Sequence, residues 1–373
     1  MGSVWLVLPG ALIWLAILAL PWRPYLTGET LDGEDLPHDL DLSDVTALIP
    51  ARNEAETLPV TMRALARQGL GLQIVVVDDQ SHDTTAQVAT LASAALTRVV
   101  SGTPPPAGWS GKLWALEQGL QQVNTPLILL VDADIELRPG IVAALRRKLQ
   151  REGLHLVSLM ARLRTESFWE KLLMPAFVYF FKLLYPFRLS NDALCGRVAA
   201  AAGGCILVEA KALEAIGAFS CVRSALIDDC ALAARIKQNG FSTWIGLSHS
   251  VHSIRRYERL APVWNMVSRS AFPQLGYSLP LLLGLTMLFA AAYWFPLLGL
   301  GTSSAGAVSL VALTAMLASY LPTLKFYRLS AAWALALPVI GTLYLAMTWS
   351  SAFRFWFGRG FTWKERSYAA NLD

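Results

Sequence analysis

The sequence predicts an α/β domain with a mostly parallel sheet, with one transmembrane helix before it and about three transmembrane helices after it. Long charge-free apolar runs at both ends of the chain predict the membrane helices. Short β-branched runs alternate with helical stretches in the middle of the chain, which predicts the α/β domain. Because 54% of the 373 residues are hydrophobic, the chain is too apolar to be only a soluble globule.

The first apolar run covers residues 1–22, which contain no charged side chain. As a helix, about 19 residues from Val4 would span about 28 Å, close to the hydrocarbon thickness of a bilayer. A cleaved signal peptide is the alternative, but such a peptide normally begins with basic residues, and the first basic residue here, Arg23, follows the run. We therefore predict an uncleaved transmembrane anchor at 1–22 whose carboxyl end lies in the cytoplasm.

The carboxyl-terminal apolar region predicts three transmembrane helices within 278–353. No charged residue occurs in 270–324, and the turn-forming segment GLGTSSAG at 299–306 divides this run into two spans. Residues 329–353 are again uncharged and long enough for a third span, which Pro338 in its middle would kink.

The loop charges indicate that the middle of the chain is cytoplasmic but leave the placement of the tail open. Lys325 and Arg328 precede the third span and are expected inside by the positive-inside tendency. The same topology puts the basic tail, 354–373, outside unless the last segment is re-entrant or interfacial. The four cysteines show no C-x-x-C pair and no matching histidine spacing, so we expect reduced thiols and neither zinc nor disulfides.

An acidic segment separates the first anchor from the α/β region. Residues 28–44 carry seven carboxylates and no lysine or arginine. Such a composition is typical of solvated chain, so we predict an acidic linker at 23–44.

Four short apolar runs from residue 45 onward are predicted as strands: VTALIP, LQIVVVDD, TRVV and PLILLVDAD. Helical stretches near 54–67, 84–95 and 111–123 separate them, and this alternation predicts a parallel sheet covered on both faces. In open sheets of this type, ligands bind outside the carboxyl ends of the strands. Three of the four strands end there in polar segments, namely IPARNE, VDDQSHDTT and VDADIE.

Four carboxylates are predicted at that edge of the sheet: Asp78, Asp79, Asp132 and Asp134. Taken one at a time, each of these carboxylates could simply be solvated at an ordinary strand end. Together in one crevice, unpaired carboxylates would repel and raise one another's pKa. A divalent cation would relieve them, and hard oxygen ligands suit Mg2+ or Mn2+ together with the phosphate oxygens of a substrate. Lys112, at the start of a helix, would favour an anion there, with a surface lysine as the alternative.

Six segments in this order and spacing resemble the GT-A glycosyltransferases of family 2, which use nucleotide-sugar donors: IPARNE, VVVDDQSHDTT, GWSGKLWAL, VDADIE, AAAGGCILV and IDDCAL. The resemblance implies a GT-A, Rossmann-like catalytic domain, which we place at 45–277. With the flanking anchors, the segment HSIRRYERLAPVWNMVSRSAFPQL at 252–275 resembles more narrowly the hopanoid-biosynthesis-associated membrane glycosyltransferases of bacteria.

The resemblance also implies roles for particular residues. Asp229 would be the catalytic base, with Asp228 as the next candidate, and the Gly203–Gly204 pair would form the loop that the acceptor approaches. Asp134, with Asp132, would hold Mn2+ or Mg2+ through the donor diphosphate. Together with the groups described above, the expected donor-binding residues are Pro50, Ala51, Glu54, Asp78, Asp79, Lys112, Asp132 and Arg269.

The chain departs from the Q-x-x-R-W signature of the family. Arg269 aligns with the arginine, but Met266 stands at the glutamine position and Ser270 at the tryptophan position. About three transmembrane helices are also few to line a water-filled channel for a polysaccharide. Both observations disfavour a processive polymer synthase and favour a single sugar transfer to a lipid.

A segment at 168–189 is apolar and aromatic but is interrupted by charged residues and prolines. It is predicted as an interfacial helix on the membrane surface, with a core helix of the catalytic domain as the alternative. The arginines within 255–259 would face the same lipid surface. His249 and His252 precede them and would either bind the metal or be structural.

The chain is thus expected to be an inverting, metal-dependent glycosyltransferase that moves a sugar from a nucleotide-sugar donor, a UDP-sugar, to a membrane lipid, with a hopanoid as the narrower expectation. A polyprenyl-phosphate glycosyltransferase is the alternative enzyme, and a catalytically silent nucleotide-binding membrane scaffold is the alternative of another class. The expected location is the bacterial inner (cytoplasmic) membrane, multi-pass, with the catalytic domain facing the cytoplasm and no nucleic acid partner.

Overall fold

The chain divides into two units in the computed structural model, which describes residues 2–34, 40–92, 96–358, 361–363 and 366–368. The sheet unit consists of Glu29–Arg164 and Phe187–Arg256, and the helical unit consists of Met1–Gly28, Thr165–Pro186 and Tyr257–Asp373. The catalytic domain proposed at 45–277 therefore contains residues of both units.

The strands, in chain order, are β1 (Val45–Ala51), β2 (Gln73–Asp78), β3 (Thr97–Ser101), β4 (Leu127–Val131), β5 (Ile135–Leu137), β6 (Leu156–Arg162), β7 (Cys205–Glu209), β8 (Thr243–Ser253), β9 (Phe361–Trp363) and β10 (Arg366–Tyr368). The α-helices are α1 (Gly2–Ala19), α2 (Leu58–Ala66), α3 (Thr85–Leu91), α4 (Gly111–Leu120), α5 (Ile141–Glu152), α6 (Phe168–Leu184), α7 (Phe187–Asn191), α8 (Ala210–Ala215), α9 (Asp228–Gln238), α10 (Leu260–Gln274), α11 (Leu279–Phe289), α12 (Phe295–Gly299), α13 (Gly306–Phe326) and α14 (Leu337–Trp356). The other helical turns are 3-10 helices at Ala218–Val222 and Ala331–Ala336 and a π-helix at Ala290–Trp294.

Within the described residues, β1 to β8 form one sheet in the order β3-β2-β1-β4-β7-β6-β8-β5. The first four strands of this order are parallel to one another, and β6 is parallel to β8. β7 and β5 run antiparallel to their neighbours. The four parallel strands are those that the sequence predicts, and the mixed, mostly parallel sheet confirms the expected α/β class.

The register of the parallel strands brings the predicted polar segments to one edge of the sheet. Ala51, the last residue of β1, lies opposite Asp78, the last residue of β2. Asp132 directly follows the end of β4. Pro50 lies beyond the β1 residues that pair with β4, at 45–48, so its missing N–H removes no bond from that ladder.

β7 brings a glycine pair to the same edge. It lies antiparallel beside β4, and its first residue, Cys205, is opposite Val131. The Gly203–Gly204 pair that precedes β7 therefore lies beside the residue that follows β4, and the Asp132 N–H donates to the Gly204 carbonyl (3.3 Å).

β8 brings a second segment beside the D-x-D residues. It runs antiparallel to β5, with Ser253 opposite Ile135. Because β5 begins directly after Asp134, the residues that follow β8 lie next to that carboxylate. The Ile254 N–H donates to the Asp134 carbonyl (2.9 Å), which fixes the backbone there.

Helices cover both faces of the sheet, as a parallel sheet requires. Neighbouring residues of one strand point to opposite sides, so Ile49 packs in a core that includes residues of α2 and α5. Leu48 packs in a second core with residues of α4 and α9. The rigid layers on both sides hold the carboxyl ends of the strands in place.

The described part of the acidic segment is not a solvated spacer, which corrects that prediction. The Leu247 N–H donates to the Glu29 carbonyl (2.8 Å), and the Leu31 N–H donates to the Leu247 carbonyl (3.0 Å). The segment therefore runs beside β8 and pairs with its backbone, a contact that charge composition does not report. Residues 35–39 of the predicted linker lie outside the described residues.

Three helices of the described helical unit are long and apolar enough to cross a membrane, namely Leu279–Gly299, Gly306–Phe326 and Ala331–Trp356. α1 contributes a shorter apolar helix, Val4–Ala19. These positions confirm the predicted apolar helices. Pro338 lies in the first turn of α14, directly after the 3-10 helix Ala331–Ala336, so the proline marks the change from 3-10 to α-helix within this span. Of the basic tail beyond 358, only the antiparallel β9–β10 pair is described.

α6 belongs to the helical unit. The Tyr179 hydroxyl on α6 hydrogen-bonds the Ser319 hydroxyl on α13 (2.7 Å). The Tyr344 hydroxyl on α14 donates to the Leu173 carbonyl (2.8 Å). α6 thus packs within the helical unit, and both the interfacial position and the alternative of a core helix of the catalytic domain stay predictions.

Candidate active site

Lys112 lies between two carboxylates at the carboxyl edge of the sheet. Its Nζ is 2.7 Å from Asp132 Oδ1 and 3.7 Å from Asp228 Oδ2. Lys112 is the second residue of α4, and the Ser110 hydroxyl caps this helix by accepting from the Leu113 N–H (3.3 Å). With 22% of its side chain exposed, Lys112 is not the surface lysine of the alternative interpretation.

The charges of this cluster depend on one another. Burial alone would lower the pKa of Lys112, but the negative charges of Asp132 and Asp228 raise it well above its usual value, so the ammonium stays charged. Burial raises the pKa of Asp132, the nearby Lys112 opposes this, and the charge of Asp134 raises it further. The mutual repulsion of Asp132 and Asp134 is what a bound cation would relieve.

Asp229 is held beside the glycine pair by two backbone N–H groups. Its Oδ2 accepts from the Gly203 N–H (2.8 Å), and its Oδ1 accepts from the Cys230 N–H (2.8 Å). Burial and the charge of Asp228 raise the pKa of Asp229 to about 6. The N-cap of α9 is Ile227, so neither carboxylate of the pair is the N-cap residue of this helix.

Gly203 leaves little room for a side chain in this arrangement. A Cβ at this position would lie 3.1 Å from Lys112 Nζ and 3.3 Å from Asp229 Oδ2. These distances are tighter than ordinary van der Waals contacts, so a side chain would push the lysine or the carboxylate away. Pro50, Lys112, Asp132, Gly203, Asp228 and Asp229 line one small pocket.

A second ionic cluster involves Arg255, which the sequence interpretation placed at the lipid surface. Its Nε donates to Asp134 Oδ2 (2.5 Å) and its Nη2 donates to Glu54 Oε1 (2.6 Å). This contact corrects the expected lipid-facing position. β5 and β8 were not among the predicted strands, and only their pairing places Arg255 beside the D-x-D residues.

The ends of β1 and β2, where the base and ribose of the donor are expected, lie side by side. The Asp79 N–H donates to the Ala51 carbonyl (2.8 Å), and Asp78 Oδ2 accepts from the Ser81 N–H (3.4 Å). Arg52, which the sequence interpretation missed, is buried and donates through Nη1 to the Asp79 carbonyl (2.6 Å). Arg52 lies in the segment IPARNE between two expected donor-binding residues, and this position could have identified it as a residue of the site.

Three of the residues considered from the sequence lie elsewhere. Arg269 is on α10 of the helical unit, so its donor-binding role stays a prediction. His249 Nδ1 is 3.2 Å from Asp32 Oδ2, on the acidic segment that pairs with β8. Burial and the charges of Arg138 and Arg162 lower the pKa of His252 to about 4, so this imidazole is neutral at neutral pH.

The donor set suits a hard divalent cation that shares its shell with a substrate. No cluster of three or more histidine, cysteine or carboxylate side chains placed to bind a metal occurs in the described parts of the chain. Mg2+ and related ions commonly use one or two carboxylates and complete their shell with water and phosphate oxygens. Asp132 and Asp134 fit that pattern, with oxygen ligands only.

The comparisons with known proteins agree with this geometry. Residues 46–217 match the family model described as Glycosyl transferase family 2. The 4,4'-diaponeurosporenoate glycosyltransferases of Staphylococcus haemolyticus (strain JCSC1435) and Staphylococcus aureus (strain USA300) are 32% identical over 93 residues and 34% identical over 110 residues. These matches cover 25% and 29% of this chain and 24% and 29% of the relatives, so the chain spans less than a third of the length of either relative.

A mannosyltransferase from Pyrobaculum calidifontis, solved in complex with GDP-Man and Mn2+, has a similar fold, with a TM-score of 0.55 and 17% sequence identity. The match covers 94% of this chain and 98% of that one. At this identity the likeness concerns the fold alone. Residues 46–217 are therefore similar to glycosyltransferase family 2 domains, and the GT-A fold class expected from the sequence is confirmed.

Proposed function

We propose that the chain is an inverting, metal-dependent glycosyltransferase that moves one sugar from a UDP-sugar to a membrane lipid, with a hopanoid as the narrower choice of acceptor. The observation that carries this proposal is the pocket in which Lys112, Asp132 and Asp229 converge on Gly203. A catalytically silent scaffold would not need a buried carboxylate with a raised pKa beside a lysine that is held between two other carboxylates.

The pocket can perform a single displacement. The acceptor hydroxyl oxygen forms a bond to the anomeric carbon, the bond from that carbon to the donor diphosphate breaks, and the hydroxyl proton passes to Asp229. Lys112 keeps a positive charge at the carboxyl edge of the sheet, where the leaving diphosphate gains negative charge. Attack from the face opposite the leaving group inverts the anomeric configuration.

The donor would bind along the ends of β1, β2 and β4. Pro50, Ala51 and Glu54 with Asp78 and Asp79 would surround the base and ribose. Asp132 and Asp134 would hold Mn2+ or Mg2+, which when bound neutralises charge on the donor diphosphate. The acceptor would approach Gly203, where the absent side chain leaves the backbone accessible.

Two observations support a lipid acceptor. The Staphylococcus relatives are named for a lipid-related acceptor, 4,4'-diaponeurosporenoate. In the helical unit, a groove of about 720 Å³ between α10 and α14 is lined by four aromatic side chains, Trp264, Trp349, Phe353 and Phe357. Arg354 lies in the same groove and donates to the neutral Asn265 side chain (2.8 Å), so a lipid with an anionic or hydroxylated end would suit it.

The proposal is tested by the release of nucleoside diphosphate from the purified full chain in lipid nanodiscs. UDP-sugars and GDP-mannose are supplied with a bacterial lipid extract, and then separately with a hydroxylated hopanoid or a polyprenyl phosphate. We expect acceptor-dependent UDP release, and the hopanoid and polyprenyl arms separate the proposed acceptor from its alternative. If no donor is turned over faster by the chain than by its Asp229→Asn variant, the proposal fails.

Transfer is expected to slow at low pH. Because the pKa of Asp229 is about 6, its carboxylate is ionised at neutral pH and is lost as a base when the pH falls through that value. The measured kcat/KM should be level near neutrality and fall about tenfold per pH unit well below the pKa. The residual rate of the Asp229→Asn variant should lack this acidic limb, and an identical limb in both proteins would contradict the assignment.

We further propose that the chain is a multi-pass protein of the bacterial inner membrane, with the catalytic domain in the cytoplasm, where nucleotide sugars are made. Reporters fused after Arg23 or within 325–328 should then read as cytoplasmic, because both sites place basic residues beside apolar helices and basic flanks favour the cytoplasmic face. A reporter within 300–305, between the first two carboxyl-terminal spans, is the control and should read as periplasmic. Periplasmic signals after Arg23 and at 325–328 would refute the topology.

A further inference from the structure

We propose that Arg255 is a latch on the donor site: without donor its guanidinium bridges Asp134 and Glu54, and it leaves Asp134 for the donor diphosphate when the metal and nucleotide bind. This inference rests on the proposed function and adds a positioning residue and an order of binding to it. The inference rests on two hydrogen bonds of the Arg255 guanidinium, one to Asp134 at 2.5 Å and one to Glu54 at 2.6 Å.

The burial of the three side chains shows why the cation is needed. Asp134 and Glu54 are each only 11% exposed at the side chain, whereas Arg255 is 37% exposed. Two poorly solvated carboxylates without a cation would be costly, since a buried charge that loses its partner is strongly destabilising. Arg255 can therefore leave Asp134 only if another cation replaces it, which makes the step an exchange.

Glu54 and the backbone at Asp134 are held by contacts that do not involve Arg255. Glu54 is fixed independently, because its Oε2 accepts from the Thr57 hydroxyl (2.8 Å) and its N–H donates to the Thr85 hydroxyl (2.8 Å). On the other side, the hydrogen bond from the Ile254 N–H to the Asp134 carbonyl holds the backbone next to Arg255. The Glu54 carboxylate and the Asp134 backbone thus keep these contacts when the arginine side chain leaves Asp134.

The diphosphate of the donor is the partner that suits the released guanidinium. The planar fork of arginine binds phosphate oxygens through two N–H groups as well as it binds carboxylates. A divalent cation at Asp134 would replace the charge that Arg255 supplies, and the diphosphate would bring the new acceptor for Arg255. Metal alone displaces the arginine from Asp134 without supplying a new acceptor in its place, so metal and nucleotide should favour each other's binding.

The experiment measures Mn2+ binding by electron paramagnetic resonance and UDP binding by calorimetry, using the full chain in nanodiscs. In Arg255→Gln we expect Mn2+ alone to bind roughly three- to tenfold tighter, because it no longer competes with the guanidinium. UDP in saturating Mn2+ should bind about tenfold weaker, because a charge-assisted contact to the diphosphate is lost. Arg256→Gln, the adjacent exposed arginine with the same change of charge, is the matched control and should leave both affinities within about twofold.

Arg255→Lys separates the latch from a simple charge effect. Lysine keeps the positive charge, but its ammonium lacks the planar, forked guanidinium that bridges both carboxylates. The latch predicts that this variant weakens UDP binding as Arg255→Gln does. If Arg255→Lys matches the wild-type chain, or if Arg255→Gln matches Arg256→Gln in both affinities, the latch is wrong. If the wild-type chain binds no UDP in saturating Mn2+, the donor site of the proposed function fails instead.

Discussion

Replacement of Asp229 by asparagine is expected to slow sugar transfer at least about 100-fold, because general-base removal of the acceptor proton typically contributes about 100-fold to 10,000-fold in rate. Asparagine has nearly the same shape, and its carbonyl oxygen can still accept from the Gly203 N–H, while its amide group replaces the oxygen that now accepts from the Cys230 N–H. The variant should therefore fold, insert and bind UDP and Mn2+ like the unchanged chain. The readouts are single-turnover transfer rate and UDP affinity, measured on the same preparation.

Asp228→Asn is the matched control for this prediction. Asp228 Oδ2 lies 3.7 Å from Lys112 Nζ, so its loss should disturb the lysine and donor affinity more than the chemical step. If UDP affinity falls together with turnover in Asp229→Asn, then Asp229 belongs to the donor site. If turnover then collapses in Asp228→Asn with donor binding intact, Asp228 is the base.

Loss of the metal is expected to have an effect of similar size. Excess chelator should abolish transfer, and Asp134→Ala should weaken Mn2+-dependent UDP binding and lower turnover on the order of 100-fold, since a catalytic metal supplies several kcal/mol of charge stabilisation. Asp134→Ala should lose the metal because it leaves only Asp132 at the end of β4. Asp132 already contacts Lys112 at 2.7 Å, so Asp132 alone offers a poor site for a cation.

Glu136→Gln is the control for the metal prediction. Glu136 is an exposed carboxylate two residues beyond Asp134, so its removal changes the charge of the region without touching the expected ligands. Its turnover and chelator sensitivity should equal those of the unchanged chain. Full transfer in excess chelator, or equal Mn2+-dependent UDP affinity in Asp134→Ala and Glu136→Gln, would remove the metal from the mechanism.

The parts of the site that follow parallel strands could be predicted from the sequence. Runs such as LQIVVVDD and PLILLVDAD show both the buried strand and the polar residues at its end, and the parallel register then brings those ends together. This local pattern was sufficient to place Asp78 and Asp132 at one edge. The spacing of Lys112 and Asp229 in the chain says nothing about their distance, so the family resemblance was needed to connect them.

The parts that depend on pairing between distant segments could not be predicted in the same way. β5 has three residues, too few for a period-2 pattern, and it becomes recognisable only through its pairing with β8. Arg255 was therefore interpreted by its charge alone and assigned to a lipid surface. The acidic segment was misread for the same reason, because its backbone pairs with β8 while its side chains suggest solvent.

Charged residues in α6 show the same limit of composition. Glu170 is buried, forms a capping box with Ser167, and accepts from the Tyr257 N–H (2.8 Å). Lys182 is also buried, and its Nζ donates to the Leu26 carbonyl (2.9 Å). Both side chains satisfy backbone groups inside the helical unit, although in the sequence they are indistinguishable from charges at a membrane surface.

The position of α6 in the chain also matters while the protein is being synthesised. The hydrogen bond from Tyr179 joins it to Ser319, which is 140 residues further along. At about 5–20 residues per second, the ribosome needs roughly 7 to 28 s to make the partner helix after α6 has emerged. During that interval a helix with this many apolar residues has nothing of its own chain from α13 or α14 to cover it. Early docking to a membrane surface would protect it from aggregation until translation reaches α13.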